Sequence, residues 1–171
     1  MKKCIIGIMI LTMLLCGCSS KLDDGVALLE EGKFEEAIAA FEAQVEDEKK
    51  LGEAYRGIAI ANYELGNYEE VVGNFEKALE NEAKETAAMY HLMASACMQC
   101  EDYENAMKYY ELVLGMEDCT EEIKKEIMFN KIAIYEQSAD WEAAKEAVNT
   151  YLGLYPDDER VIKEAEFLET R

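Results

Sequence analysis

Gly32-Lys33-Phe34-Glu35-Glu36-Ala37, Gly66-Asn67-Tyr68-Glu69-Glu70-Val71, Glu101-Asp102-Tyr103-Glu104-Asn105-Ala106 and Ala139-Asp140-Trp141-Glu142-Ala143-Ala144 are four returns of one phrase. The aromatic stands at 34, 68, 103 and 141, so the spacings are 34, 35 and 38 residues. Self-similarity at that period marks stacked units in a solenoid, because a unit this small cannot bury its apolar face alone. Around each phrase the apolar residues recur at helical spacing. Ile38, Phe41 and Val45 share one face of a helix, as do Val72, Phe75 and Leu79. A single proline in 171 residues and little alternating pattern leave no room for a sheet.

The period predicts pairs of helices. The first of each pair runs over about 22–31, 51–65, 86–100 and 121–138, and the second over about 34–47, 68–81, 103–116 and 141–154. Gly32, Gly66 and Asp102 supply the turns within pairs. Asp118 or Thr120 caps a longer helix after the 38-residue interval. Pro156 opens a last helix over 157–170, with Val161, Ala165 and Leu168 inward and Glu159, Arg160 and Glu166 in water. This is the capping helix that an open stack requires.

The repeat resembles the tetratricopeptide family over residues 22–156. The family's small eighth position is Gly25, Ala59 and Ala94, with Ile132 as a departure. Its small twentieth position is Ala37, Val71, Ala106 and Ala144. The large twenty-fourth is Phe41, Phe75, Tyr110 and Val148. The small twenty-seventh is kept only by Ala78; Gln44, Val113 and Tyr151 depart from it. The resemblance implies an all-α, right-handed solenoid of about four helix-turn-helix repeats (22–50, 51–85, 86–119 and 120–156) with a cap at 157–171. With Ile132 and Tyr151 both enlarged, a wider crossing is expected in the fourth repeat.

The front of the chain carries a second signal. Met1-Lys2-Lys3 is followed by an apolar run from Ile5 to Leu15. That run is shorter than the roughly 20 residues of a spanning helix and suits a secretory signal. Leu15-Cys16-Gly17-Cys18-Ser19-Ser20 then resembles a bacterial lipoprotein signal. It implies cleavage of residues 1–17, diacylglycerol and palmitate-type acyl chains on Cys18, and a short tether through residue 24. The expected location is the extracytoplasmic face of a cell membrane, held by lipid. Two or three chains make a lasting anchor where one does not.

Charge narrows the partners. The chain holds 37 Asp and Glu against 17 Lys and Arg, a net −20. Nucleic acid and anionic lipid surfaces are repelled by such a body. Basic partners gain in association rate. Cys97, Cys100 and Cys119 remain after the signal, an odd number that makes no disulfide framework.

Candidate chemistry is sparse. Cys97-Met98-Gln99-Cys100 spells a Cys-x-x-Cys, which admits a thiol redox or metal-binding protein. It stands late in a helix, without a second pair, and with His91 as the chain's single histidine, so apolar packing is the preferred reading. Pairs such as Glu35-Glu36 and Glu121-Glu122 lack a calcium loop and suit helix N-termini. No phosphate loop, nucleophile elbow or zinc-protease motif occurs.

The tetratricopeptide resemblance implies a groove along the first helices of each pair. Carried over by position, its residues are Arg56, Ile60, Tyr63 and Glu64, then His91, Ser95, Met98 and Gln99, then Phe129, Ala133, Glu136 and Gln137. Arg56 is the one cation in this set, which disfavours a clamp for C-terminal carboxylates. The expected activity is non-catalytic binding of a protein or peptide, with no cofactor and no metal. A self-assembling structural spacer is the other alternative.

Overall fold

The computed structural model describes residues 21–171, so Cys18 and the signal segment lie outside the described residues. Among the described residues there are nine helices and no strand. They are α1 Lys21–Glu30, α2 Phe34–Glu46, α3 Leu51–Leu65, α4 Tyr68–Glu80, α5 Ala87–Gln99, α6 Tyr103–Leu114, α7 Glu121–Gln137, α8 Trp141–Leu154 and α9 Glu159–Leu168. Each helix packs antiparallel-fashion against the next in chain order, and α1, α3, α5 and α7 also touch one another in succession. The even-numbered helices share no comparable contact. Odd helices crowded together with even helices splayed apart give an α-solenoid whose concave side is the odd row.

Local chemistry explains the boundaries. Gly32 and Gly66 take φ of +73° and +78°, the left-handed conformation that closes α1 and α3. In the later pairs Glu101 and Ala139 occupy the same place with φ of +59° and +55°. The phrase keeps its turn geometry there without glycine, at a cost of about 1–2 kcal/mol each. Thr86, Asp102, Thr120, Asp140 and Asp158 cap the following helices through side-chain oxygens. Thr120 is therefore the cap of α7. Asp118 does other work, since its Oδ2 accepts from Ala87 N at 3.1 Å and pins the α6–α7 loop to the start of α5. The last helix is shorter than its sequence span. Asp158 caps it, so Pro156 and Asp157 stay in the turn.

The core is a row of overlapping clusters. Phe41 packs with Ala37, Ala54 and Ile58. Phe75 packs with Ala59, Met89 and Met93. Tyr110 lies with Ala94, Val113 and Ile127, and Tyr151 with Ile132, Val148, Val161 and Leu168. Each cluster joins a pair to its neighbour, or in the last case to α9, so burial runs along the stack and no unit closes upon itself. The large departures fit by hydrogen bonding. Buried Gln44 donates from Nε2 to Lys49 O at 2.6 Å. The hydroxyl of fully buried Tyr151 donates to Asp158 Oδ2 at 2.8 Å and so ties α8 to the start of α9.

Candidate functional site

The concave side is built from α3, α5 and α7. Tyr63 on α3 and Tyr110 on α6 both lie beside Ser95 on α5, and Asn130 Nδ2 on α7 donates to the Tyr110 hydroxyl at 2.9 Å. Four helices thereby meet at one polar cluster beneath the groove. Burial pushes the Tyr63 and Tyr110 phenols above their ordinary range, so both remain protonated donors. The neighbouring Ser95 hydroxyl pulls in the opposite direction and is outweighed. Ser95 itself is buried, so it acts as a strut under the groove and offers no surface.

His91 stands one turn before Ser95. Its side chain is 13% exposed, and Nε2 lies 3.7 Å from Glu126 Oε2 on α7, too far for a hydrogen bond. Burial lowers its pKa and the Glu126 charge only partly offsets that, so the imidazole is neutral at neutral pH. Among the described residues, His91 Nε2 and Glu136 Oε1 are the buried side-chain polar atoms without a hydrogen-bond partner. Both belong to the residues expected in the groove.

The rest of the expected set divides. Arg56, Ile60 and Tyr63 are half-buried on α3, and Glu64 is exposed. Met98 packs onto the Tyr110 cluster, whereas Gln99 is exposed. Phe129 packs against the Tyr151 cluster, and the Arg160 guanidinium of α9 lies 4.9 Å from its ring centroid. Glu136 lies beside Glu164 of α9, and burial first, with that neighbouring carboxyl adding, raises it to about 7. The capping helix therefore takes up the fourth-pair residues. The expected row is open at α3 and α5 and is covered at the α7 end. Nothing in the repeat pattern could signal this, because α9 lies outside the repeat. Ala133 is half-buried and Gln137 exposed.

The thiols separate in the same way. Cys97 is buried, and burial first, with nearby acids adding, pushes its thiol up to about 11. Cys100 is exposed at the end of α5, since the helix stops at Gln99, and does not fill the apolar position expected of it. Its thiol is also raised, by partial desolvation and acidic neighbours. Both shifts oppose thiolate chemistry. Among the described residues no group of three or more His, Cys, Asp and Glu side chains is gathered as a metal site, and no helix is long and apolar enough to cross a membrane.

Comparison with known proteins agrees with this architecture. The family pattern described as "Tetratricopeptide repeat" matches residues 87–118, which is the α5–α6 pair. A solved structure titled "MamA RS-1 ArsTM double mutant" superposes with a TM-score of 0.71 at 19% identity, covering 90% of this chain and 85% of that chain. At that identity the likeness speaks for the fold. No curated protein matches the chain.

Proposed function

We propose that this tetratricopeptide-repeat protein is a non-catalytic scaffold that seats a segment of a partner protein on its concave side, and that lipid on Cys18 holds it at the extracytoplasmic face of a membrane. The observation that carries the binding reading is the floor shared by α3, α5 and α7. Tyr63, Ser95 and Tyr110 are gathered there, and Asn130 holds the Tyr110 hydroxyl by a hydrogen bond before any partner arrives. A preorganised floor spends little ordering entropy on binding. Above it, half-buried Tyr63, Ile60 and Arg56 and the neutral His91 present aromatic, apolar and polar contacts together, the mixture that anchors peptides. The net charge of −20 favours basic partners, mainly by speeding encounter.

Anchoring rests on the Leu15-Cys16-Gly17-Cys18 pattern. The described part of α1 already includes Lys21, three residues after Cys18. Three residue steps span at most about 10 Å even at full extension, which would keep the first helix pair near the headgroups and leave the fourth pair outermost. Residues 21–24, expected in the tether, are already helical.

Two experiments test this. A photo-crosslinking phenylalanine at Tyr63 of the full chain in its native cells should capture a protein that the same group at exposed Gly73 does not. Equal capture at both places, or capture at neither, removes the groove. Acyl-chain labelling should be lost in Cys18→Ser, and retained label removes the anchor.

A further inference from the structure

Two crevices open on the outer side of the solenoid, away from the concave floor. One lies between the α4 and α6 flanks over α5, with a volume of about 410 Å3. The other, of about 550 Å3, lies one pair later, between the end of α6 and α8 over α7. α6 and α7 are the most loosely packed of the sequential helix pairs, and the longer 115–120 connection separates them. Both volumes fall in the range of ligand sites, about 300–1,000 Å3. Their chemistry is opposite. Glu69, Glu76 and Asp102 line the first. Lys124 and Lys131 line the second, with Glu146 its one carboxylate.

The second crevice has a helical layout. Lys124, Met128, Lys131 and Tyr135 form one stripe along α7, and Ala143 and Ala147 give α8 a low facing wall. Leu114 and Leu154, both large and exposed, stand at its rim. At 1.5 Å per residue the α7 stripe is roughly 16 Å long, with Lys124 and Lys131 about 10 Å apart along the helix axis and a methionine between them. Among the described residues neither Lys124 nor Lys131 forms an ion pair, as is also true of Lys84 and Lys163.

We propose that this α6–α7–α8 crevice docks an acidic amphipathic helix of a partner protein, with an apolar residue over Met128 and carboxylates two turns apart on Lys124 and Lys131. A slot walled by two helices and open along three turns suits a helix in a groove. Carboxylate pairing with two unengaged lysines sets its register and polarity. The acidic crevice one pair earlier repels the same helix, so the two slots sort partners by sign. The surface is distinct from the concave floor, and its failure leaves the groove reading standing.

The probe is a fluorescein-labelled, helix-stabilised peptide of about four turns bearing Glu at i and i+7 and Leu at i+4, compared with its Lys counterpart. The full chain should bind the Glu peptide saturably and more tightly than the Lys peptide, against the pull of its own net charge of −20. Lys124→Glu with Lys131→Glu should raise Kd at least about tenfold, while Lys163→Glu leaves it unchanged. The ε-methyl resonance of Met128 in the unmutated chain should shift on peptide addition, a readout independent of any variant's folding. Preference for the Lys peptide, an equal effect of Lys163→Glu, or a silent Met128 methyl overturns the proposal. So does light scattering that shows the crevice occupied by a second copy and freed by the lysine reversals.

Discussion

Replacing Gly57 with alanine should destabilise the first half of the solenoid, although alanine is the better helix former. Gly57 lies inside α3, and the Phe41 ring from α2 rests on its backbone. A Cβ there would fall 2.7 Å from Phe41 Cδ2 and closer still to Cε2 and Cζ. From the other side Gly25 of α1 leaves no slack, since its own Cβ would meet Phe41 Cε1 at 2.5 Å. The ring is 1% exposed between two glycines and cannot swing away. Glycine-to-alanine in a helix gains about 0.8–1 kcal/mol from propensity. Forcing a methyl into a packed core costs about 1–3 kcal/mol. Packing wins, and the expected net loss is about 0.5–2 kcal/mol. Gly73 is the control, being inside α4, exposed and with nothing within 4 Å of its Cβ position, so Gly73→Ala should gain about 0.8–1 kcal/mol. Phe41→Leu removes the outer ring carbons, and in that background Gly57→Ala should become nearly neutral, a coupling of about 0.5–2 kcal/mol. Because stacked repeats can unfold piecemeal, urea melts should be paired with amide exchange in α1 and α2, which should quicken by roughly tenfold per 1.4 kcal/mol. If Gly57→Ala stabilises as much as Gly73→Ala, or its cost survives Phe41→Leu, the clamp on the ring is wrong.

Tyr151→Phe keeps the core volume and deletes the hydroxyl bond to Asp158, so α9 should exchange amide protons roughly tenfold faster while α1–α4 are unaffected; uniform change along the chain would refute the tie. The Glu136–Glu164 contact should make the α7–α9 junction weaken as pH rises. Glu136 has a folded pKa raised from 4.5 to about 7, so its contribution is complete below about 4.5 and is lost as pH passes through 7. After allowance for solvent screening the loss is about 1–2 kcal/mol, and Glu136→Gln should abolish it in melts at pH 5 and pH 8. A parent chain equally stable at both pH values would count against the raised Glu136 pKa.

Much of the architecture could be read from residue order. Phe34, Tyr68, Tyr103 and Trp141 each begin the second helix of a pair, as the recurring phrase predicts, and Thr86, Asp102, Thr120 and Asp140 cap their helices within their own next three residues. Such signals are local, and a repeat shows them several times over. The pattern also put Arg56, Ile60, Tyr63 and His91 on the odd helices, which the structure gathers into one row. Gly57 went unnoticed because nothing in its neighbourhood of sequence marks a ring arriving from position 41.

Sequence by itself determined the helices, their pairing and their stacking, because helical periodicity and turn chemistry act over three to eight residues and then repeat. Tertiary structure alone decided which side chains are available. Ser95 is buried beside Tyr63 and Tyr110, Phe129 is covered by Arg160, Glu136 lies against Glu164, and the slot between α6 and α8 is open because α6 and α7 part. Each of those outcomes depends on groups tens of residues apart, and only the packed chain brings them within reach of one another.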